Sequence, residues 1–357
     1  MITGNKGEWS EIYALFKLLG DRELRPGNNE VERIQNLIYP ILKILRTEGT
    51  RRFEYSIEDD IVVVSDHEVV SSISVSEFQE KAMVLLAEIK ANSGTFSLPE
   101  IEEFMRSINC LSLKARSSRK TDITIVVHDQ RTGEQPSLGF SIKSQLGNPS
   151  TLLNAGETTN FIYKITGVEL TSSEIEGINA ISTKYKIKDR VNAIKSKGGS
   201  FEFVKPQREI FNNNLVLIDS LLPQVLSFIV LGFYSSSFSS SEKLIRFVER
   251  ENPLKFDTSS GHPFYRYKIK RFLTDIALGM MPSRVWTGEY DATGGYLIVK
   301  DDGEVLCYHI YNRNVFEDYL LSNTKLDTAG STRHKFGKIY KKDGELYFNM
   351  NLQIRFL

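Results

Sequence analysis

The chain has only two cysteines, Cys110 and Cys307, among its 357 residues. They lie far apart, and their spacing fits neither a disulfide framework nor a zinc site. A reducing cytoplasm is the expected setting. The opening Met1 to Trp9 lacks an apolar signal core, so secretion is not expected. A membrane span needs about 20 largely uninterrupted apolar residues. The longest apolar stretch here, Leu215 to Tyr234, is interrupted by Asp219, Pro223 and Gln224. It reads as a buried helix, and no membrane association is expected. Long proline or glycine tracts are absent, and no internal repeat stands out. Nothing argues for disorder.

Net charge is missing too, since 45 Lys and Arg balance 45 Asp and Glu. Spread evenly, that balance would count against a nucleic-acid partner. It is not spread evenly. Acids outnumber bases between Glu54 and Glu103, whereas bases gather at Arg116, Arg119 and Lys120, then in Lys184 to Lys197, Arg266 to Arg271 and Arg333 to Lys342. One such run is usually only a solvated face. The first gains weight because it abuts Asp122.

Asp122 opens what the sequence does contain, a pair of apolar-alternating segments at Thr121 to Val127 and Gly139 to Gln145. If both are strands, their two-residue period puts Asp122 and Thr124 on one face of the first, and Ser141, Lys143 and Gln145 on one face of the second. The opposite faces carry Ile123, Ile125 and Val127, and Phe140 and Ile142. One side is expected to be core. The other offers a carboxylate, an amine, a hydroxyl and an amide, the polar set that a metal-dependent phosphodiesterase needs at one spot.

Hard divalent ions such as Mg²⁺ prefer oxygen donors and often use one or two protein carboxylates. Asp122 is the expected ligand, with the main-chain carbonyl of Ile142 as a second donor. Lys143 would stand beside the attacking water, to stabilise developing charge or act as base, and Gln145 would orient its neighbours. The bland alternative is a strand-opening Asp122, an edge-strand Lys143 guarding against aggregation and a solvent-facing Gln145.

Along the chain, helical spacing predicts a first helix from near Lys6 to Gly20, with Trp9, Ile12, Tyr13, Phe16 and Leu19 as its apolar stripe. A second is expected from Asn29 to Arg46, kinked or broken at Pro40. Strands are expected over Arg52 to Val64 and Val69 to Val75, and helices over Val75 to Asn92 and Leu98 to Ile108. Beyond the paired strands come Asn160 to Ile165 as a strand and Ser172 to Ala193 as partly helical. The strands Gly295 to Val299, Val305 to Tyr311 and Leu346 to Phe356 close the chain. The Ser- and Phe-rich segment 233–241 is the expected boundary between an N-terminal part, 1–235, and a C-terminal α/β part, 242–357, for DNA binding or dimerisation. The fold class is α/β, or mixed α+β.

The spacing of Asp122, Ser141 and Lys143 resembles the PD-(D/E)xK nuclease motif, with Thr121 in place of the proline and Ser141 where Asp or Glu is expected. Serine is a weaker metal ligand, so a second carboxylate must come from elsewhere. Glu11, on the first helix with Glu8, is favoured, and Glu157 competes closely, with thirteen residues between it and Lys143. Three longer stretches carry a further resemblance: Gly4 to Tyr13, Gly139 to Ala155 with the following Thr-Asn-Phe-Ile-Tyr, and the C-terminal stretch from Gly-Tyr-Leu-Ile-Val-Lys at Gly295 to Leu-Gln-Ile-Arg-Phe at Phe356. Together they are similar to type II restriction endonucleases of the HpaII family.

That resemblance implies a restriction-endonuclease-like core, a central mixed sheet flanked by helices. It also implies Mg²⁺-dependent cleavage of double-stranded DNA at CCGG with 5′-phosphate ends, and a cognate DNA methyltransferase. A palindromic site favours a homodimer on DNA. DNA contacts are expected from Arg116, Arg119 and Lys120, from Ser144 and Asn148 in the loop after Lys143, and from Arg333 and Lys335. The rivals are a repair, junction or modification-dependent nuclease on the same core, and a non-catalytic DNA-binding protein.

Overall fold

A computed structural model of the chain describes residues 1–114, 120–130 and 132–357. It divides into two compact units, each discontinuous in sequence: residues 1–150 with 290–319, and residues 151–289 with 320–357. The segment 233–241 lies within the second unit. There it ends one helix, Leu222–Ser235, and starts the next, Ser241–Glu251. The units interleave because residues 290–319 return two strands to the first sheet.

That sheet has nine strands: β1 (Glu23–Pro26), β2 (Tyr39–Glu48), β3 (Arg51–Glu58), β4 (Ile61–Asp66), β5 (Glu68–Ser74), β6 (Ile123–Val127), β7 (Ser137–Ser144), β8 (Gly295–Val299) and β9 (Val305–His309). Their spatial order is β1-β9-β8-β7-β6-β2-β3-β4-β5, and β1 also pairs with β2, which curls one end into a partial barrel. The β7–β8 and β9–β1 pairs are parallel and the remainder antiparallel, so the sheet is mixed. Helices α1 (Lys6–Asp21), α2 (Val75–Ala91) and α3 (Pro99–Ser107) belong to the same unit.

α1 begins where Asn5 caps it. The Asn5 side chain accepts from Glu8 N while the Glu8 side chain accepts from Asn5 N, a reciprocal box that satisfies two otherwise unpaired donors. The predicted stripe of Trp9, Ile12, Tyr13, Phe16 and Leu19 is fully buried. Phe16 meets Phe78 of α2 and Phe104 of α3 edge-on, at centroid distances of 6.1 and 5.1 Å, which packs the three helices together.

Two expectations fail for readable reasons. Residues 29–46 form no helix: 29–38 are turns and bridges, and 39–48 are β2. The spacing of Tyr39, Ile41, Ile44 and Leu45 suits either period. Pairing decides it, because Ile44 stands between Tyr55 and Ile125 of the neighbouring strands. The apolar stretch from Leu215 is two helices rather than one, Glu209–Ile218 and Leu222–Ser235, bent by 109°. Asp219 makes the break by accepting from Leu221 N at 2.9 Å, and Pro223 starts the second helix. Among the described residues no single helix is long and apolar enough to cross a membrane. The bent pair passes that test only jointly, and much of its second helix is buried.

In the second unit an antiparallel sheet runs Ser200–Pro206, Asn160–Thr166, Glu345–Asn351 and Ile339–Lys342, and a three-stranded sheet joins Thr151–Leu153, Ile354–Phe356 and Thr324–Leu326. Tyr163 donates to Ser227 O at 2.7 Å and Tyr234 to Asn351 O at 3.2 Å, which ties the long buried helix to the sheet. In the basic run after His262, Arg266 is bound by Glu242 and Lys268 by Asp219. Both cations serve structure.

Candidate active site

β6 and β7 pair as the alternation predicts, with Ile123 opposite Phe140. β7 is nevertheless interior, flanked by β6 and β8, so Lys143 does not guard an edge. Nor is one face simply wet, because Ser141 is buried beside Phe140 and Ile142.

Asp122 stands one residue before β6, its amide donating to Phe140 O at 2.8 Å. Its Oδ2 accepts from Ile142 N at 2.7 Å and from Ser141 Oγ at 3.0 Å, while Oδ1 takes no hydrogen bond among the described residues. Ser141 Oγ in turn accepts from Lys143 Nζ at 2.8 Å. Where the nuclease pattern has an acid, this hydroxyl links carboxylate to amine. Lys143 Nζ also lies 5.2 Å from the centre of the Tyr296 ring, on the residue that β8 sets opposite Ser141. Gly295 makes that register accessible. Its φ is 111°, and an added Cβ would sit 2.0 Å from Tyr308 O.

Glu11 is the carboxylate that senses the Asp122 charge. Burial, then the Asp122 carboxylate, push its pKa up to about 8, against the pull of Lys114, Arg46 and Lys143. No ion pair reaches it among the described residues. Its neighbour Glu8 is occupied by the α1 cap and by Lys114 Nζ at 3.0 Å, which leaves Glu11 as the unengaged acid of the helix. α1 is fastened to the site by Ser10, whose Oγ bonds Ser144 Oγ at 2.8 Å. Beneath it the buried Arg46–Glu48 pair (2.6 Å) holds Ser112 from both sides, Arg46 donating to Ser112 O and Ser112 Oγ to Glu48 at 2.8 Å.

Burial lowers the Lys143 pKa, opposed by Asp122 and Glu11. Lys120 falls to about 8, through burial and then the Lys143 charge, with Asp291 opposing. That places a second amine by the first.

Other predicted positions lie differently. Gln145 is exposed just past β7, with its amide on Val299 O at 2.8 Å and its side chain unbonded among the described residues. Ser144 Oγ is engaged by Ser10 and by Leu146 N, and Asn148 is exposed in the following bend. Arg116 and Arg119 lie outside the described residues. Glu157 belongs to the second unit, where its carboxylate binds Lys335 Nζ at 2.8 Å and Arg208 Nη2 at 3.2 Å. Lys335, then Arg208, hold its pKa below the usual range. Arg333 is exposed in the same loop as Lys335. Sequence reasoning missed Ser10, Arg46, Lys114 and Tyr296, because their proximity depends on pairings and helix docking that no local spacing encodes.

No group of three or more His, Cys, Asp or Glu is placed to hold a metal among the described residues. A two-carboxylate set suits a hard divalent ion that keeps most of its water. Burial first, and the Asp122 charge second, disfavour the ionised form of Glu11, a penalty that a bound cation relieves.

A family model described as HpaII restriction endonuclease matches residues 5–356. The type II restriction enzyme HpaII of Haemophilus parainfluenzae is 48% identical over 359 residues, covering 99% of each chain. No solved structure matches.

Proposed function

The chain belongs to the HpaII restriction endonuclease family, and from that premise we propose that its Asp122–Lys143 site cuts both strands of double-stranded DNA at the palindrome CCGG. As a family member it is a type II restriction endonuclease, a divalent-metal-dependent phosphodiester hydrolase acting at a specific site. CCGG as that site, Mg²⁺ as the ion and 5′-phosphate ends are our finer assignments. So are a homodimer on the DNA, a partner methyltransferase and a cytoplasmic location.

The single observation that carries the chemistry is the chain of hydrogen bonds from Lys143 through Ser141 to Asp122, set beside the unpaired Glu11. Asp122 Oδ1 and Glu11 would hold the ion, with the Ile142 carbonyl as a further oxygen. When bound, a hard divalent ion supplies Lewis-acid polarisation of the scissile phosphoryl oxygen. Ser141 fixes where Lys143 points, and Ile142 N with Ser141 Oγ fixes which Asp122 oxygen stays available. The Lys143 ammonium faces the charge that develops on the phosphoryl group, and its lowered pKa brings proton transfer at Nζ nearer to neutral pH. Lys120, and Lys114 on the Glu8 side, add positive potential for an anionic backbone.

Fragment-end sequencing tests this reading, with methylated and unmethylated plasmid incubated with the protein and Mg²⁺. Discrete fragments that all end in one sequence are expected, and methylation at the site should protect. Structure-dependent nicking would favour the repair or junction alternative. Absence of cleavage with every divalent ion would leave only a DNA-binding role.

A further inference from the structure

Glu157 and the residues around it form a second polar constellation, wholly within residues 151–289 and 320–357. Glu157 Oε1 binds Lys335 Nζ and Oε2 binds Arg208 Nη2. Beside Arg208, Gln207 Oε1 accepts from Asn160 Nδ2 at 2.8 Å and from Asn349 Nδ2 at 3.4 Å. Asn160 Nδ2 also donates to His334 O at 2.9 Å, which anchors the turn that carries Lys335. Every strong acceptor in this cluster is therefore engaged inward. What remains unbonded among the described residues is donors: the Gln207 NH₂, and the Nε, Nη1 and second Nη2 hydrogen of Arg208, whose side chain is 56% exposed, with the Lys335 ammonium, 73% exposed, beside them.

A phosphate clamp needs charge and tolerates mobile side chains. This cluster has more than charge. A carboxylate tethers the planar guanidinium at Nη2, and two asparagines on neighbouring strands hold the carbonyl of a neutral amide, which leaves its NH₂ to donate elsewhere. Directional donors suit an edge that carries only acceptors. In the major groove guanine offers O6 and N7 as acceptors, whereas cytosine presents an N4 donor that such a cluster would reject.

We propose that Arg208 and Gln207, oriented by Glu157 and Asn160, read a guanine edge of the recognition site. Glu157 is then a positioning residue for specificity and no part of the metal site. This rests on the endonuclease reading above. Arg208 donates two parallel N–H bonds to O6 and N7, the second Nη2 hydrogen paired with Nε or with Nη1, Gln207 donates to a neighbouring acceptor, and Lys335 neutralises the adjacent backbone.

The test is a cycle on kcat/KM for a defined duplex, with guanine or 7-deazaguanine at each recognition position, using wild type, R208A and R208K. In the wild type, loss of N7 at the contacted guanine should cost on the order of 10-fold, part of the roughly 5- to 150-fold value of a bidentate pair. R208A should lose on the order of 10- to 100-fold on normal DNA and feel no further penalty from 7-deazaguanine. R208K keeps the charge and the Glu157 partner, so it serves where R208A fails to fold, and it should show the same loss of coupling. A full 7-deazaguanine penalty in both variants, with R208K near wild-type efficiency, would assign Arg208 to phosphate and overturn the proposal. So would wild-type discrimination in R208A. A wild type that cuts no specific sequence would instead overturn the endonuclease reading, and it shows before any variant is compared.

Discussion

Glu11 and Glu157 are the same side chain in opposite settings. Glu11, in the first unit, is half-buried, faces Asp122 and has a pKa raised to about 8. Glu157, in the second, is clasped by Lys335 and Arg208, which hold its pKa down. A desolvated carboxylate beside another carboxylate is a place where a cation is gained. One already saturated by two cations is a frame that orients them. On the reading proposed above, the difference separates chemistry from recognition: the first unit gathers groups whose charge state is perturbed by burial, and the second offers donors whose acceptors are already used.

The largest effect expected from this contrast lies on the two lysines. Lys143→Ala should lower the single-turnover cleavage rate by ~10²–10⁴-fold, the range for loss of a positioned acid–base or charge-stabilising group. Lys335→Ala should raise KM more than it lowers kcat. If Lys143→Ala cleaves at the wild-type rate, the assignment of chemistry to the first unit is wrong.

Next comes the claim that burial controls the first unit's electrostatics. His309 is buried against Tyr39, Phe140 and Tyr311, its Nδ1 accepts from Tyr311 N at 3.0 Å, and burial pushes its pKa down to about 4 despite Asp129. The unfolded imidazole, near 6.5, takes its proton first as pH falls. Its contribution to stability is therefore complete above about pH 6.5 and is lost between there and about pH 4, roughly 3 kcal/mol in all. Glu11, with its raised pKa, gains stability over the same window, so the His309 effect is read as the difference in urea-unfolding free energy between wild type and His309→Phe, which should change by this amount across the window. An identical pH profile in the variant would contradict it.

The smallest effect concerns the tie between α1 and β7. Ser10→Ala removes the hydroxyl that bonds Ser144, and about 1 kcal/mol of stability should go with it. Cleavage should fall further than that loss of folded protein accounts for, because Glu11 follows Ser10 on the helix. A stability loss with no change in single-turnover rate would show that α1 does not position the site.

Much of the first unit was legible in the sequence. The stripe from Trp9 to Leu19 could only be one face of a helix, and the alternation through Ser141 and Lys143 put both on one side of a strand whatever its neighbours. What stayed hidden depended on partners. Tyr39 to Glu48 satisfies helical and strand spacing alike, and only its place between β3 and β6 decides. The role of Ser141 as a link was hidden for the same reason, since it needs Asp122 and Lys143 at hydrogen-bond distance across two strands. The break at Asp219 and Pro223 is visible in the sequence, because both residues interrupt a helix for local reasons. Arg208 stood in no basic run and met Glu157 only through the fold.

The most direct measurement is a Mg²⁺ titration of site-specific cleavage by Glu11→Gln and Glu157→Gln beside the wild type. Glu11→Gln should move the Mg²⁺ midpoint upward and cut the rate by at least about 10²-fold, beyond the usual cost of losing an outer partner of a metal site. Glu157→Gln should leave the midpoint in place and loosen sequence discrimination instead. A shifted midpoint in Glu157→Gln with an unshifted one in Glu11→Gln would contradict the account.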